Sequence, residues 1–112
     1  MADTEPVIPA PALPAVVTLP PEIDIANADA VGDQLAAALA PGVKVIIADM
    51  TATTFCDSRG VRMLVLAQRQ AVTHGAELRL LLPNPHVMRV WRILGLEMVL
   101  PVYQSLEEAL AP

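Results

Sequence analysis

The sequence predicts an α/β domain in which helices pack against a mainly parallel sheet. Three observations predict it. Residues 43–48, Val-Lys-Val-Ile-Ile-Ala, form a short Val- and Ile-rich run bounded by turn residues, the pattern of a strand buried on both faces. Further strand-like runs alternate with segments whose apolar residues recur at helical spacing. The 112 residues, 54% hydrophobic but only 3% aromatic, allow one domain of ordinary size with an aliphatic core.

Taken in order, the chain opens with Pro6, Pro9, Pro11 and Pro14 among Ala and Val. Repeated Pro removes ladder donors and favours extended conformations, so residues 1–14 are expected to be a flexible tail or an edge segment, and residues 15–112 the domain. Ala15, Val16, Val17, Thr18 and Leu19 predict a strand stopped by Pro20 and Pro21, with Glu22, Ile23 and Asp24 as a loop carrying two acids. Asn27 fits a helix N-cap, and Ala28, Val31, Leu35, Ala38 and Leu39 fit the buried stripe of the helix that follows. Gly32 weakens that helix by about 1 kcal/mol relative to Ala, and Pro41-Gly42 ends it before the central strand.

The central strand leads through Asp49 and a Thr-rich loop, 51–54, to Phe55-Cys56-Asp57-Ser58-Arg59-Gly60 and the apolar residues of a second helix. His74-Gly75 supplies its stop, with Gly free to take a left-handed cap. Residues 77–82 predict the next strand. Pro85 suits the first position of a third helix running to about Leu94, with Val87, Val90, Trp91 and Leu94 on its buried face and Gly95 as its stop. Residues 98–102 suggest a last strand, and Ser105 with Glu108 forms a capping box for a short terminal helix.

The composition narrows the function classes. A net charge of −5, with one Lys and scattered Arg, argues against a nucleic-acid surface. No apolar run approaches the roughly 18 residues that span a bilayer, and the acidic start lacks the features of a signal peptide, so a cytoplasmic protein is expected. The single Cys56 agrees, since one thiol makes neither an internal disulfide nor a cysteine-built zinc site. Asp57 beside it disfavours a reactive thiolate. His74 and His86 have no metal-pair spacing, and no paired general acid and base or phosphate loop is visible, so neither an enzyme nor a bound cofactor or metal is expected.

What remains is the start of the second helix. Ser58 there fits either an N-cap or the site of a phosphate, since backbone N–H groups and the helix dipole favour an anion. Arg59 and Arg62 oppose that dipole. Local stability therefore does not explain them, and they suit an acidic partner, a held phosphate or plain solvation. Between Val61 and Ala67, six apolar residues in seven positions cannot all face one core. Val61, Leu64 and Val65 fit the inward stripe, which leaves Met63 and Leu66 for a partner surface. Asp24 fits a loop cap. Asp49 fits a hydrogen-bonding role in the Thr-rich loop.

The segments 22–24, the strand ending in Asp49, 55–61, the helix ending in His74-Gly75, 78–82, Leu94-Gly95-Leu96 and 105–110 together resemble a STAS domain of the bacterial anti-sigma factor antagonist family. The resemblance covers about residues 16–110. It implies a sheet of mixed direction flanked by about four helices. It also implies a regulatory binding module that engages an anti-sigma factor with serine kinase activity and is switched off when that kinase phosphorylates the serine after the motif aspartate, here Ser58. Asp24, Asp57, Ser58, Arg59, Arg62, Met63 and Leu66 are then the expected partner-binding residues. Many members of the family carry Ser or Thr where this chain has Arg59. The alternative is a STAS subunit that is never phosphorylated and serves as an adaptor in a transporter or sensory scaffold. The oligomeric state is left open.

Overall fold

A computed structural model describes residues 14–112. The tail expected at 1–14 lies, except for Pro14, outside the described residues. The Val- and Ile-rich run becomes β3 (Val45–Asp49), which pairs in parallel with β1 (Ala15–Thr18) on one side and β5 (Glu77–Leu81) on the other. β6 (Val102–Tyr103) adds to β5, giving the order β1-β3-β5-β6, and every ladder among the described residues is parallel. The crossovers that parallel strands require are helical. They are α1 (Ala28–Ala37), α2 (Ser58–Thr73) and α3 (Pro85–Ile93), and α4 (Leu106–Leu110) closes the domain.

Alternation along the strands divides the core. Ile46 and Ala48 of β3, with Leu78 and Leu80 of β5, face a large cluster that takes Val31 and Leu35 from α1, Leu64 and Ala71 from α2, and Val87, Met88 and Trp91 from α3. Ile47 and Leu81 point the other way, against Ala109 of α4, with Val45 and Tyr103 beside them. The central strand is thus covered on both faces, as its composition predicts. Trp91 is fully buried and its indole N–H has no hydrogen-bond partner, so packing alone holds it.

Four local expectations are corrected. Glu22 and Ile23 are not a loop but a two-residue strand, β2 (Glu22–Ile23), in a separate parallel ladder with β4 (Phe55–Cys56). The cause is the Pro20-Pro21 step, which ends pairing to β3 and turns carbonyls toward the Thr-rich loop. Thr54 N–H donates to Pro21 O at 2.8 Å, and the buried Thr53 hydroxyl to Pro20 O at 2.9 Å. Asn27 stands at the N-cap of α1 but does not cap it; its side chain takes Asp24 N–H at 2.9 Å and donates to Glu22 O at 2.7 Å. On α3, Met88 joins Val87 and Trp91 inside, while Val90 and Leu94 are exposed. The helix rests on its 87–91 row rather than on the 87–90–94 row. Residues 98–102 are not one strand: Gly95, at φ +69°, turns the chain into a 3-10 turn, Leu96–Met98, and the short β6 follows Pro101, which has no N–H to donate.

The other signals act as the sequence predicts. Gly75 takes φ +75° after α2. Pro85 takes the first position of α3, and Asn84, which the sequence reading leaves in the loop, caps the helix by accepting from His86 N–H at 2.9 Å. Ser105 accepts from Glu108 N–H at 3.1 Å at the start of α4.

Candidate functional site

The β2–β4 ladder builds the site. Its register sets Ile23 beside Cys56, so the next residue of each strand, Asp24 and Asp57, emerge side by side, and Asp57 N–H donates to Ile23 O at 3.0 Å. Beyond Asp57 the chain enters α2 directly. Asp57 sits in extended backbone and its Oδ1 accepts from Gly60 N–H at 2.9 Å, which makes Asp57 the N-cap. This corrects the reading of Ser58 as the cap. Ser58 is the first helical residue, with its side chain exposed.

Gly60 shows how closely the ladder and helix approach. A Cβ there would lie 2.6 Å from Cys56 Sγ and 2.8 Å from Ile23 Cγ2. The absence of a side chain lets the first turn of α2 lie on β2 and β4, which fixes where Ser58 stands. Burial beneath this turn, and secondarily the Asp57 charge, push the Cys56 thiol up to about 12. The unreactive thiol expected from sequence follows, with desolvation as the larger cause.

The acids order loops. Asp24 accepts from Ala26 N–H at 2.9 Å, and its carbonyl receives Ala28 N–H at 2.8 Å at the entry to α1. Asp49, at the end of β3, accepts from Thr51 N–H at 2.9 Å and from the Thr51 hydroxyl, the structural role predicted for it.

Arg59, Arg62 and Leu66 are exposed on the same helix, Leu66 at 47%. Met63 is not on the surface as expected. It is 8% exposed and packs into the core, with its Cγ 3.2 Å from where a Cβ on Gly32 of α1 would be. The sequence places Met63 among five consecutive apolar residues, 63–67, without saying which faces α1; the small Gly32 opens the space that admits it. Between α1 and α2 lies a cavity of about 190 Å³ lined by Ile25, Ala28, Asp29, Arg59, Arg62, Met63 and Leu66. Ile25 and Asp29 are not among the partner-binding residues expected from the sequence. The available signal for Ile25 was an apolar residue in a loop with no stripe to join, and it is 68% exposed.

A family model described as the STAS domain matches residues 5–109. The chain belongs to the STAS domain family. The match extends into residues 5–14 of the Pro-rich segment. This STAS domain is 32% identical over 89 residues to BtrV of Bordetella bronchiseptica, named as an anti-sigma factor antagonist, over 80% of this chain and 77% of BtrV. Its fold matches the crystal structure of an anti-sigma factor antagonist from Mycobacterium paratuberculosis with a TM-score of 0.75 and 25% identity, over 87% of this chain and 82% of the other. The Bacillus protein SpoIIAA matches in its unphosphorylated form with a TM-score of 0.68 and 25% identity, over 94% and 89% of the two chains. Its phosphorylated form matches with 0.61 and 26%, over 86% of each. No helix among the described residues is long and apolar enough to cross a membrane.

Proposed function

We propose that this STAS domain is a cytoplasmic anti-sigma factor antagonist, a regulatory binding module and not an enzyme. It docks an anti-sigma factor with serine kinase activity through the start of α2, and phosphorylation of Ser58 switches it off. One observation carries the reading: Asp57 supplies the helix cap, and Ser58 stands exposed at the first position of α2 with no capping role to perform. The hydroxyl is presented at the surface by a closed, well-packed turn. The names of BtrV and the Mycobacterium protein support the antagonist role, and the phosphorylated form of SpoIIAA supports the switch.

The chemistry of the switch follows from charge. A phosphate on Ser58 adds roughly −1.5 to −2 charges next to the Asp57 carboxylate, on the surface the partner covers. A neutral hydroxyl is covered at little cost, whereas burying an unpaired dianion costs several kcal/mol. The fold tolerates the group because an anion is favoured at a helix N-terminus. Affinity falls while the structure stays.

The test is retention of host proteins by the wild-type chain, by Ser58→Ala and by Ser58→Asp, with mass spectrometry of the retained proteins and of Ser58. Wild type and Ser58→Ala should hold a kinase-like anti-sigma factor that Ser58→Asp loses, and the kinase should phosphorylate wild type alone. Equal retention of a transporter or scaffold component by all three, with no phosphate on Ser58, would replace this reading with the adaptor role.

A further inference from the structure

We propose that Arg59, Arg62, Ile25 and Leu66 form a cup that receives a peptide segment of the partner in which an apolar side chain is flanked by carboxylates. The inference rests on the docking reading above and names the chemistry that this chain selects.

The cup joins three parts of the fold. Ile25 comes from the loop after β2, Ala28 and Asp29 from the first turn of α1, and Arg59, Arg62, Met63 and Leu66 from α2, all around the cavity of about 190 Å³. Its floor is apolar: Met63 is buried, and Ile25 and Leu66 offer exposed aliphatic surface that the monomer leaves uncovered. Its α2 wall is cationic. Among the described residues the ion pairs are Arg79 with Glu77 and Arg92 with Glu97, so neither Arg59 nor Arg62 has a carboxylate within pairing distance. Both stand in the first turns of α2, where a cation opposes the helix dipole. The helix dipole therefore does not account for them, while a guanidinium fork matches a carboxylate with two hydrogen bonds.

Asp29 on the α1 wall gives the cup a direction. A ligand's acidic groups must lie toward α2, with its apolar side chain over Ile25 and Leu66. The whole chain carries −5, so its long-range field repels an acidic ligand and attraction must come from the cup itself.

The test uses the full chain labelled with ¹⁵N and two capped peptides, one of alternating glutamate and leucine, the other of alternating lysine and leucine. The acidic peptide should move the amide signals of Ile25, Arg59, Arg62 and Leu66 and saturate, while the lysine peptide leaves them in place. Arg59→Gln with Arg62→Gln should weaken the response about tenfold or more, as expected for loss of charge-assisted hydrogen bonds. Salt at about 0.5 M should weaken it as well. Asp29→Asn should strengthen it severalfold. Equal responses to both peptides, shifts centred elsewhere, or no response overturn the proposal. The peptides do not involve Ser58 chemistry. A silent cup with the kinase still retained by wild type and lost by Ser58→Asp removes the cup and keeps the antagonist; a responsive cup with no kinase retained does the reverse.

Discussion

Asp57 and Ser58 divide two tasks that the sequence reading gives to Ser58 alone. A cap is set by backbone conformation as much as by side chain: Asp57 lies at φ −85°, ψ −176°, outside the helix, with its carboxylate on Gly60 N–H, and Ser58 is already helical. The sequence displays both residue types at a helix start but not the register of the first turn, which depends on how Gly60 packs on Ile23 and Cys56. Replacing Asp57 with Ala should lower stability by about 1 kcal/mol, and Asp57→Asn by only a few tenths, since Asn also caps; urea unfolding measures both. If Ser58 were the cap instead, Asp57→Ala would be near neutral. The Cys56 thiol gives a second prediction. Its rise from 9.0 to about 12 leaves very little thiolate at pH 8, so iodoacetamide should label it far more slowly than a free cysteine, until denaturant is added. Because the proton is held more tightly in the folded state, this group's contribution to stability is complete below about pH 9 and declines as pH rises toward 12. Cys56→Ala should remove that part of the alkaline slope.

At the scale of elements, strongly periodic segments are legible and short ones are not. The β3–loop–α2 unit, the Pro85 start of α3, the cap of α4 and the glycine stops all follow from residue type at fixed offsets. The two-residue strands β2 and β4 carry no periodic signal, because they are defined by each other across the fold. The faces of α2 are legible only in part. Leu64 is inward as its stripe predicts, and Val61 and Val65 are half-buried beside it. Met63 is inward because α1 presents Gly32 to it, which no reading of α2 alone contains. Met63 and Leu66, which the sequence groups together, should therefore separate in energy. Met63→Ala leaves a void in a packed region and should cost about 2 kcal/mol or more. Leu66→Ala, at a half-exposed position, should cost no more than about 0.5 kcal/mol while weakening partner binding. Thermal unfolding measures the first difference and binding titration the second. A large stability loss at Leu66 would show that it serves the core.

For the molecule as a whole, the two faces of the sheet are held by different means. The larger face is closed by three helices contributing many aliphatic side chains. The other, among the described residues, has Ile47, Leu81 and Ala109 at its centre and a helix of only five residues over it. So short a helix has little stability of its own. Arg79 compensates. From β5 its Nη1 donates to Ala109 O at 2.8 Å and to Ala111 O at 2.6 Å, satisfying carbonyls at the end of α4 with a cation where the helix dipole favours one. Glu77 pairs with the guanidinium, which also lies 5.6 Å from the centre of the Tyr103 ring. One largely buried side chain thus joins β5, β6 and α4, and the sequence carries no sign of it, because an Arg in a strand resembles any solvated charge. Arg79→Met keeps much of the side-chain volume but removes the donors and leaves Ala109 O without its partner. Hydrogen exchange should then show α4 losing protection first, with the amides of Leu78 and Leu80 still slow, since the larger core does not include Arg79. Loss of protection across β3 and β5 together with α4 would mean instead that the small cluster and the large one unfold as a single unit, and that α4 is as much a part of the cooperative core as the helices opposite.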